Sequence, residues 1–565
     1  MATTAAPAGA PAAAPRVRRS SLWWPAVAVT AAAAVVHTLL TRRLSGDLQY
    51  VLGALRLGGD AGYSPSEVFT HRPFFYRWFV ALLDLPTAGG PAVRETLIGI
   101  EGAVVAAVTA LALYAALLRR VTAREAAVTA GATGLALVLA PRTDFLQPEW
   151  TAVLLAVLGV AAALGVRRPW PAALLAALPL GLAVTMKYST ASTAVFAVLL
   201  IRLADRGRAL RTALAAVPAA AALFGLSVLL GSHEWQWTED MPRINQSALG
   251  RTGLRPGGVL AHSVSFLADR ALLSPVLLLL PGALLLLLAR CPGRARRVEL
   301  LAVAALVGAG SLAVVIVQGN WFPYHAVQST VAAAAAWGLA VGGTTGPPPW
   351  RFGAVSLAYG ALPVLYPHAP GGLHRPATVW ALGLLGLLAA AADVHCRRAA
   401  RRPAPVRSAA PVVLAGVVCL AGPVWPGSPH LVRHGEVGAT NAAFLRDTAH
   451  EEAEAARLRA RIPAGAPVLY LAFGDTAYYV DRPARCRYPI ATFLQRSRFL
   501  PDVAGLPSFA ENADCVDHDP APYAILDRAW FRLAFVDPGL RARVQATYAC
   551  PPPSKDTPTV VCTRR

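Results

Sequence analysis

The stretch RRPWPAALLAALPLGLAVTMKYSTASTAVFAVLLIRLADRGRALR (167–211) decides the fold. Two apolar runs nearly touch at Lys187. Each is closed at its far end by arginines: Arg167 and Arg168 on one side, Arg202, Arg206, Arg208 and Arg211 on the other. An apolar run of about 20 residues crosses the hydrocarbon of a bilayer. Loops that stay cytoplasmic keep an excess of Lys and Arg. Both arginine ends therefore read as cytoplasmic, with Lys187 at the opposite face. The same alternation runs through the chain. Further Arg-rich breaks hold Arg16/Arg18/Arg19, Arg119/Arg120/Arg124, Arg290/Arg294/Arg296/Arg297, Arg351 and Arg397/Arg398/Arg401/Arg402/Arg407. The breaks between them carry Asp, Glu, His, Trp and single cations.

Spans are expected near 22–41, 97–118, 125–140, 149–166, 171–187, 189–205, 212–231, 269–289, 298–317, 325–342, 351–366, 376–394 and 409–425. Arg42 and Arg43 break the charge rule locally and are outvoted by the later blocks. About thirteen spans starting from a cytoplasmic N-terminus put the C-terminus outside. The expected organisation is a disordered cytoplasmic tail (1–21), an α-helical polytopic membrane domain (22–426) and an extracytoplasmic α/β domain (427–565). No cleavable leader is expected, because the first apolar run is long and lacks a small-residue cleavage site.

Composition agrees. Of 565 residues, 55% are hydrophobic and 15% charged, too apolar a balance for a soluble chain. The formal charge of +21 sits mostly in the cytoplasmic breaks, so topology accounts for it and nucleic-acid binding is not expected. Lys187 and Lys555 are the only lysines. Arginine in place of lysine, with abundant alanine, points to a GC-rich bacterial genome.

The outer domain carries its own signals. Residues 438–461 read as a helix; PVLYLAF (467–473), YAILD (523–527) and TVVCT (559–563) read as buried strands. A small α/β sandwich follows. No strand leads into a Gly-rich phosphate loop, so no nucleotide site is expected. Cys486, Cys515, Cys550 and Cys562 all fall in this domain. An oxidising compartment makes two disulfides of them, in one of three connectivities. Cys550–Cys562, closing a short Pro-rich loop, with Cys486–Cys515 is the favoured one.

Chemistry-bearing residues gather at the outer face. The first outer loop (42–96) reads as interfacial amphipathic helices and contains SGDLQYVLGALRLGGDAGYSPSEVFTHRPFFYRWF (45–79), with Asp47, Tyr50, Asp60, Tyr63 and His71-Arg72-Pro73. The second outer break, APRTDFLQPEW (140–150), brings Asp144 and Glu149 to the membrane boundary. Lys187-Tyr188 ends a span, where a lysine is costly without a partner or a task. The loop 232–268 holds SHEWQWTEDMPRINQ. The break near 317–325 holds GNWFPYH, with Tyr324 and His325. Carboxylates and cations thus share one depth, that of a lipid phosphate head group.

In this order and topology the set resembles the GT-C superfamily of polytopic glycosyltransferases, in the branch of lipid A aminoarabinose transferases and protein O-mannosyltransferases. That branch has an Asp after the first span, an acid-Lys-Pro-Pro element before the second, an Asp after the third and a Lys ending the fifth. Asp47, His71-Arg72-Pro73, Asp144 and Lys187 stand in those places, over roughly the first two hundred residues. His71 replaces the acid, Phe74 the second proline, and Asp47 lacks a neighbouring acid, which leaves Asp60 as a rival base.

The resemblance implies sugar transfer, with inversion, from a polyprenyl-phosphate donor to a lipid, glycan or protein acceptor. The site would lie at the outer face of the cytoplasmic membrane. Asp47 would be the base. Arg72 and Lys187 would hold the leaving phosphate, Asp144 would orient acceptor or sugar, and His71, Tyr324 and His325 would meet the donor head group. No cofactor is expected; an Arg and a Lys can replace a divalent metal, which is not favoured. The alternatives are a transporter or lipid flippase, which would place ionisable groups at mid-membrane in repeated halves, and a non-enzymatic scaffold that would not need Asp47 or Lys187.

Overall fold

The computed structural model describes residues 23–248, 256–343, 347–399, 408–495, 497–499, 501–552 and 558–565. The tail with Arg16, Arg18 and Arg19 lies outside these residues, as do Arg401, Arg402, Arg407 and Lys555. Each of the expected spans is helical. Seven helices among the described residues are long and apolar enough to cross a membrane alone: Trp23–Thr41, Pro91–Leu117, Pro148–Gly165, Pro169–Met186, Arg206–Leu230, Arg294–Gln318 and Pro376–Ala399. The helices at 125–140, 189–205, 325–342, 351–366 and 409–425 are shorter. The run expected as one span at 269–289 is not straight. Pro275 lacks an N–H and interrupts it, so Gly257–Leu273 and Pro275–Arg290 meet at 108°.

The outer loop departs from the expectation of interfacial helices. Gly46–Asp60 is a helix, but Leu48, Tyr50, Val51, Leu52 and Leu57 on it are all buried. The C-terminal domain covers it. Tyr50 packs on the backbone of Gly474, and a Cβ at Gly53 would lie 3.0 Å from the backbone of Tyr478. Only glycine permits this crossing with the helix Gly474–Val480. A second outer helix, Phe74–Asp84, follows the His71-Arg72-Pro73 bend.

Strands β1 (Pro429–Arg433) and β2 (Glu436–Thr440) form an antiparallel hairpin that the sequence reading lacks. The carboxylate of Asp269 accepts the N–H groups of His434 and Gly435 at the turn, 2.8 and 2.7 Å away. The expected helix 438–461 therefore starts later, at Asn441, capped by the Thr440 hydroxyl. Strands β3 (Val468–Leu471), β4 (Tyr523–Asp527), β5 (Tyr548–Ala549) and β6 (Thr559–Arg564) make one sheet in the order β3-β4-β6-β5, parallel at the first pairing and antiparallel at the others. Its two faces alternate strictly. Val468, Tyr470, Ile525 and Val561 join the core that runs into the membrane helices. Leu469, Leu471, Ala524, Leu526, Val560 and Cys562 join a second core with Phe69 and Trp237 from the outer loops. Both faces are buried, which is why these strands read as unbroken apolar runs.

The favoured disulfides are present: Cys486–Cys515 with Cα atoms 6.0 Å apart and Cys550–Cys562 at 4.2 Å. Cys291, Cys396 and Cys419 are free. In native membranes without reductant, an alkylating reagent should therefore leave the four outer cysteines unmodified and reach the exposed Cys396; reduction should add four labels. Free labelling of the four before reduction would refute the pairing. Replacing one bridge by Ala should cost about 2–5 kcal/mol and unfold the outer domain first.

Candidate functional site

Three bends of one design converge at the end of the helices that carries Lys187. In each, a non-glycine residue takes a left-handed backbone, one residue follows, and a proline caps or starts the next helical segment. They are His71-Arg72-Pro73 (φ 46° at His71), Leu146-Gln147-Pro148 (φ 59° at Leu146) and Trp321-Phe322-Pro323 (φ 40° at Trp321). The pre-proline residue is forced extended, and the left-handed residue before it costs about 1–3 kcal/mol. Such strain persists only where neighbours over-determine it, and here they do. The Tyr76 hydroxyl donates to Leu146 O at 2.8 Å. Gln147 Nε2 donates to the Ser45 hydroxyl at 2.9 Å, beside Asp47. Arg77 donates to Arg72 O at 2.6 Å and to Glu234 at 2.7 Å. Glu234 in turn accepts the Phe74 N–H at 2.9 Å. Arg77 and Glu234 are both buried, a closed ion pair that braces the first bend.

The bends deliver a charged cluster. Asp47, in the first turn of its helix, lies 3.5 Å from Arg72 Nη2 and beside Tyr324. Lys187, where the helix Pro169–Met186 ends, donates to Glu149 Oε1 at 2.6 Å. His325 Nδ1 stands 3.0 Å from the same oxygen and 3.5 Å from Lys187 Nζ. The Tyr324 ring lies under the Lys187 ammonium, centroid 5.7 Å away. The rings of His71 and Tyr50 are 4.6 Å apart. Burial first, and then the charges of Arg72 and Lys187, hold the His71 imidazole well below its ordinary value. Arg72 and Lys187 supply the positive charge of the cluster. Four buried polar atoms of the cluster have no hydrogen-bond partner among the described residues: His71 Nδ1, Arg72 Nε, Glu149 Oε2 and His325 Nε2.

Six of the expected site residues thus come together: Asp47, His71, Arg72, Lys187, Tyr324 and His325. Two do not join them. Asp60 is exposed at the far end of the helix Gly46–Asp60, about 20 Å from Asp47 at the helical rise. Asp144 is 0% exposed and pairs with the buried Arg270 at 2.6 Å, whose Nη2 also donates to Thr330 at 2.7 Å. The Asp47 side chain, by contrast, is 34% exposed. Glu149, which centres the cluster, is noted in the sequence only as a boundary acid. Its signal is its place in the first turn of an apolar helix, in QPEW. Arg270 signals itself as a lone cation entering the apolar run 269–289, and Arg77 as a cation inside FFYRWF. Among the described residues, no three His, Cys, Asp or Glu side chains are grouped so as to hold a metal ion.

The fold of this chain is that of a solved polytopic membrane protein. The chain is similar over its whole length to ArnT from Cupriavidus metallidurans. It matches the apo structure with a TM-score of 0.51 at 14% identity, over 96% of this chain and 98% of that one. It matches ArnT bound to undecaprenyl phosphate with the same score and identity, over 96% and 97%. No protein-family model matches the sequence, and no curated protein sequence matches it.

Proposed function

We propose that this protein is a lipid-linked sugar transferase of the GT-C type. It moves a sugar from a polyprenyl-phosphate donor to an acceptor hydroxyl on a lipid, glycan or protein at the outer face of the cytoplasmic membrane. The observation that carries the reading is the meeting of one accessible carboxylate, Asp47, with two part-buried cations, Arg72 and Lys187, beside partnerless buried polar atoms. A buried polar group left unpaired costs about 1–3 kcal/mol, so these groups fit a ligand rich in oxygen atoms.

In this reading Asp47 takes the proton of the acceptor hydroxyl as its oxygen attacks the anomeric carbon. The bond from that carbon to the phosphate oxygen breaks on the opposite face, and the configuration inverts. The electron pair leaves on the phosphate, where Arg72 and Lys187 meet the growing charge. Glu149 holds Lys187 in place, and Tyr324 and Arg72 orient Asp47. His71 and His325 are hydrogen-bonding contacts for the donor head group. Asp144, shut in with Arg270, supports the second bend and does not touch substrate. Asp60 is no longer a rival base, being remote from the cations that must hold the leaving group. The two cations stand in for a divalent metal.

The test supplies membranes holding the protein with a radiolabelled polyprenyl-phosphate sugar. Label should pass to a new acceptor product, and a nucleotide sugar should not replace the donor. The 108° break before Arg290 is a feature that transporters share. Passage of the intact donor across the bilayer without bond cleavage would overturn the transferase in favour of a flippase.

A further inference from the structure

We propose that a cleft among the arginine-rich breaks, at the opposite end of the helices from Asp47, binds the phosphate of an anionic phospholipid head group. The cleft is an open surface groove of about 680 Å³ lined by Arg202, Arg206, Arg294 and Arg296 with Asp205 and Glu299. None of these residues takes part in the sugar-transfer chemistry, so the inference stands apart from that reading.

Four guanidinium groups face two carboxylates. Glu299 gathers three of them: Arg206 by two bonds of 3.0 Å, Arg296 at 2.9 Å and Arg202 at 3.4 Å. Asp205 is occupied elsewhere, capping Arg208 N at 3.0 Å and lying 3.4 Å from Arg208 Nε. Arg294 has no carboxylate within ion-pair distance among the described residues. The wall keeps a net positive charge even after its internal pairs are counted. Glu299 fixes the geometry: it is buried, and it holds the arginines as a fan instead of letting them disperse into water.

Backbone adds to the side chains. The first turns of two long helices, Arg206–Leu230 and Arg294–Gln318, both line the cleft. The cap of the second is Gly293, which has no side chain to satisfy the N–H groups of that turn. Two helix starts on one cleft favour an anion, and arginine forks match phosphate oxygens two at a time.

The flanks identify the source of the phosphate. Leu210 and Leu214 on one helix, and Val298 and Leu301 on the other, are exposed apolar residues within two turns of the cleft. A ligand that fits has a phosphate at the mouth and hydrocarbon alongside. A phospholipid of the leaflet touching the arginine-rich breaks has that form, and basic pockets between membrane helices on the cytoplasmic side commonly hold such head groups.

The experiment uses the full-length protein in nanodiscs containing phosphatidylcholine with graded phosphatidylglycerol. Native mass spectrometry reads retained lipid, and a parallel series receives inorganic phosphate alone. The wild type should retain phosphatidylglycerol over phosphatidylcholine. Arg294→Glu should bind it roughly thirtyfold more weakly, at about fivefold per unit of charge near the surface, and Arg202→Gln about fivefold. A glutamate in the first turn of a helix is favourable, so Arg294→Glu should fold, and an unchanged thermal midpoint in phosphatidylcholine discs verifies that. Equal retention of the two lipids, or undiminished phosphatidylglycerol binding by Arg294→Glu, overturns the site. Displacement of phosphatidylglycerol by millimolar inorganic phosphate supports the anion site and overturns the lipid as its source.

Discussion

Asp47→Asn should lower sugar transfer by about 10²–10⁴-fold while leaving donor binding nearly intact. Asparagine keeps the size of the side chain and a carbonyl oxygen for Arg72 and Tyr324, so the bend and the cluster persist. What it removes is the negative charge that accepts the acceptor proton. The lost stabilisation belongs to the transition state, so kcat and kcat/KM should fall together. Asp60→Asn is the matched control. It changes an exposed acid about 20 Å away along the same helix and should be silent. Transfer by the radiolabel assay and separate donor binding check both. A fully active Asp47→Asn enzyme, or an inactive Asp60→Asn enzyme, would remove Asp47 as the base.

Lys187→Ala should weaken donor binding and transfer by about 10–100-fold, because a charge-assisted bond to phosphate is worth about 1.5–3 kcal/mol in both the bound and transition states. The variant also leaves Glu149 buried without its cation, and breaking a buried pair in this way costs about 3–5 kcal/mol of stability. The two effects separate. Lys187→Met with Glu149→Gln removes both charges and should recover most of the thermal midpoint without recovering donor binding. Recovery of binding along with stability would mean that Lys187 serves only the fold. Arg72→Ala should resemble Lys187→Ala in binding, with a smaller stability loss, since its partner Asp47 is partly exposed and can be hydrated.

The parts of this protein legible in its sequence are those written in local periodicity. Apolar run length marks the helices, and Arg-rich breaks mark one face of them. Unbroken apolar pentads mark the doubly buried strands, and the segregation of cysteine marks the outer domain. The individual site residues were partly legible for a related reason. His71-Arg72-Pro73, QPEW and NWFPYH each carry polar groups next to a proline at the end of an apolar run. There, helix geometry forces a bend and the polar groups must face one depth. The sequence reading failed at the helix Gly46–Asp60 because its burial comes from a distant segment: it looks interfacial until Gly474 and Tyr478 cover it. The break in the run 269–289 is local, set by Pro275 inside the run, which its unbroken hydrophobicity hides.

The sequence by itself therefore determined the class of fold and the depth at which the charged residues gather, since both follow from how far an apolar run reaches and where charge must stop. Only the tertiary structure decided which charges meet. Glu149, Lys187 and His325 share one carboxylate oxygen although 176 residues separate the first from the last. Asp144 is spent on Arg270, and Asp60 is carried away from Asp47 by the length of a helix. Pairing across helices depends on which faces pack together, and a buried charge is tolerated only beside the partner that packing brings.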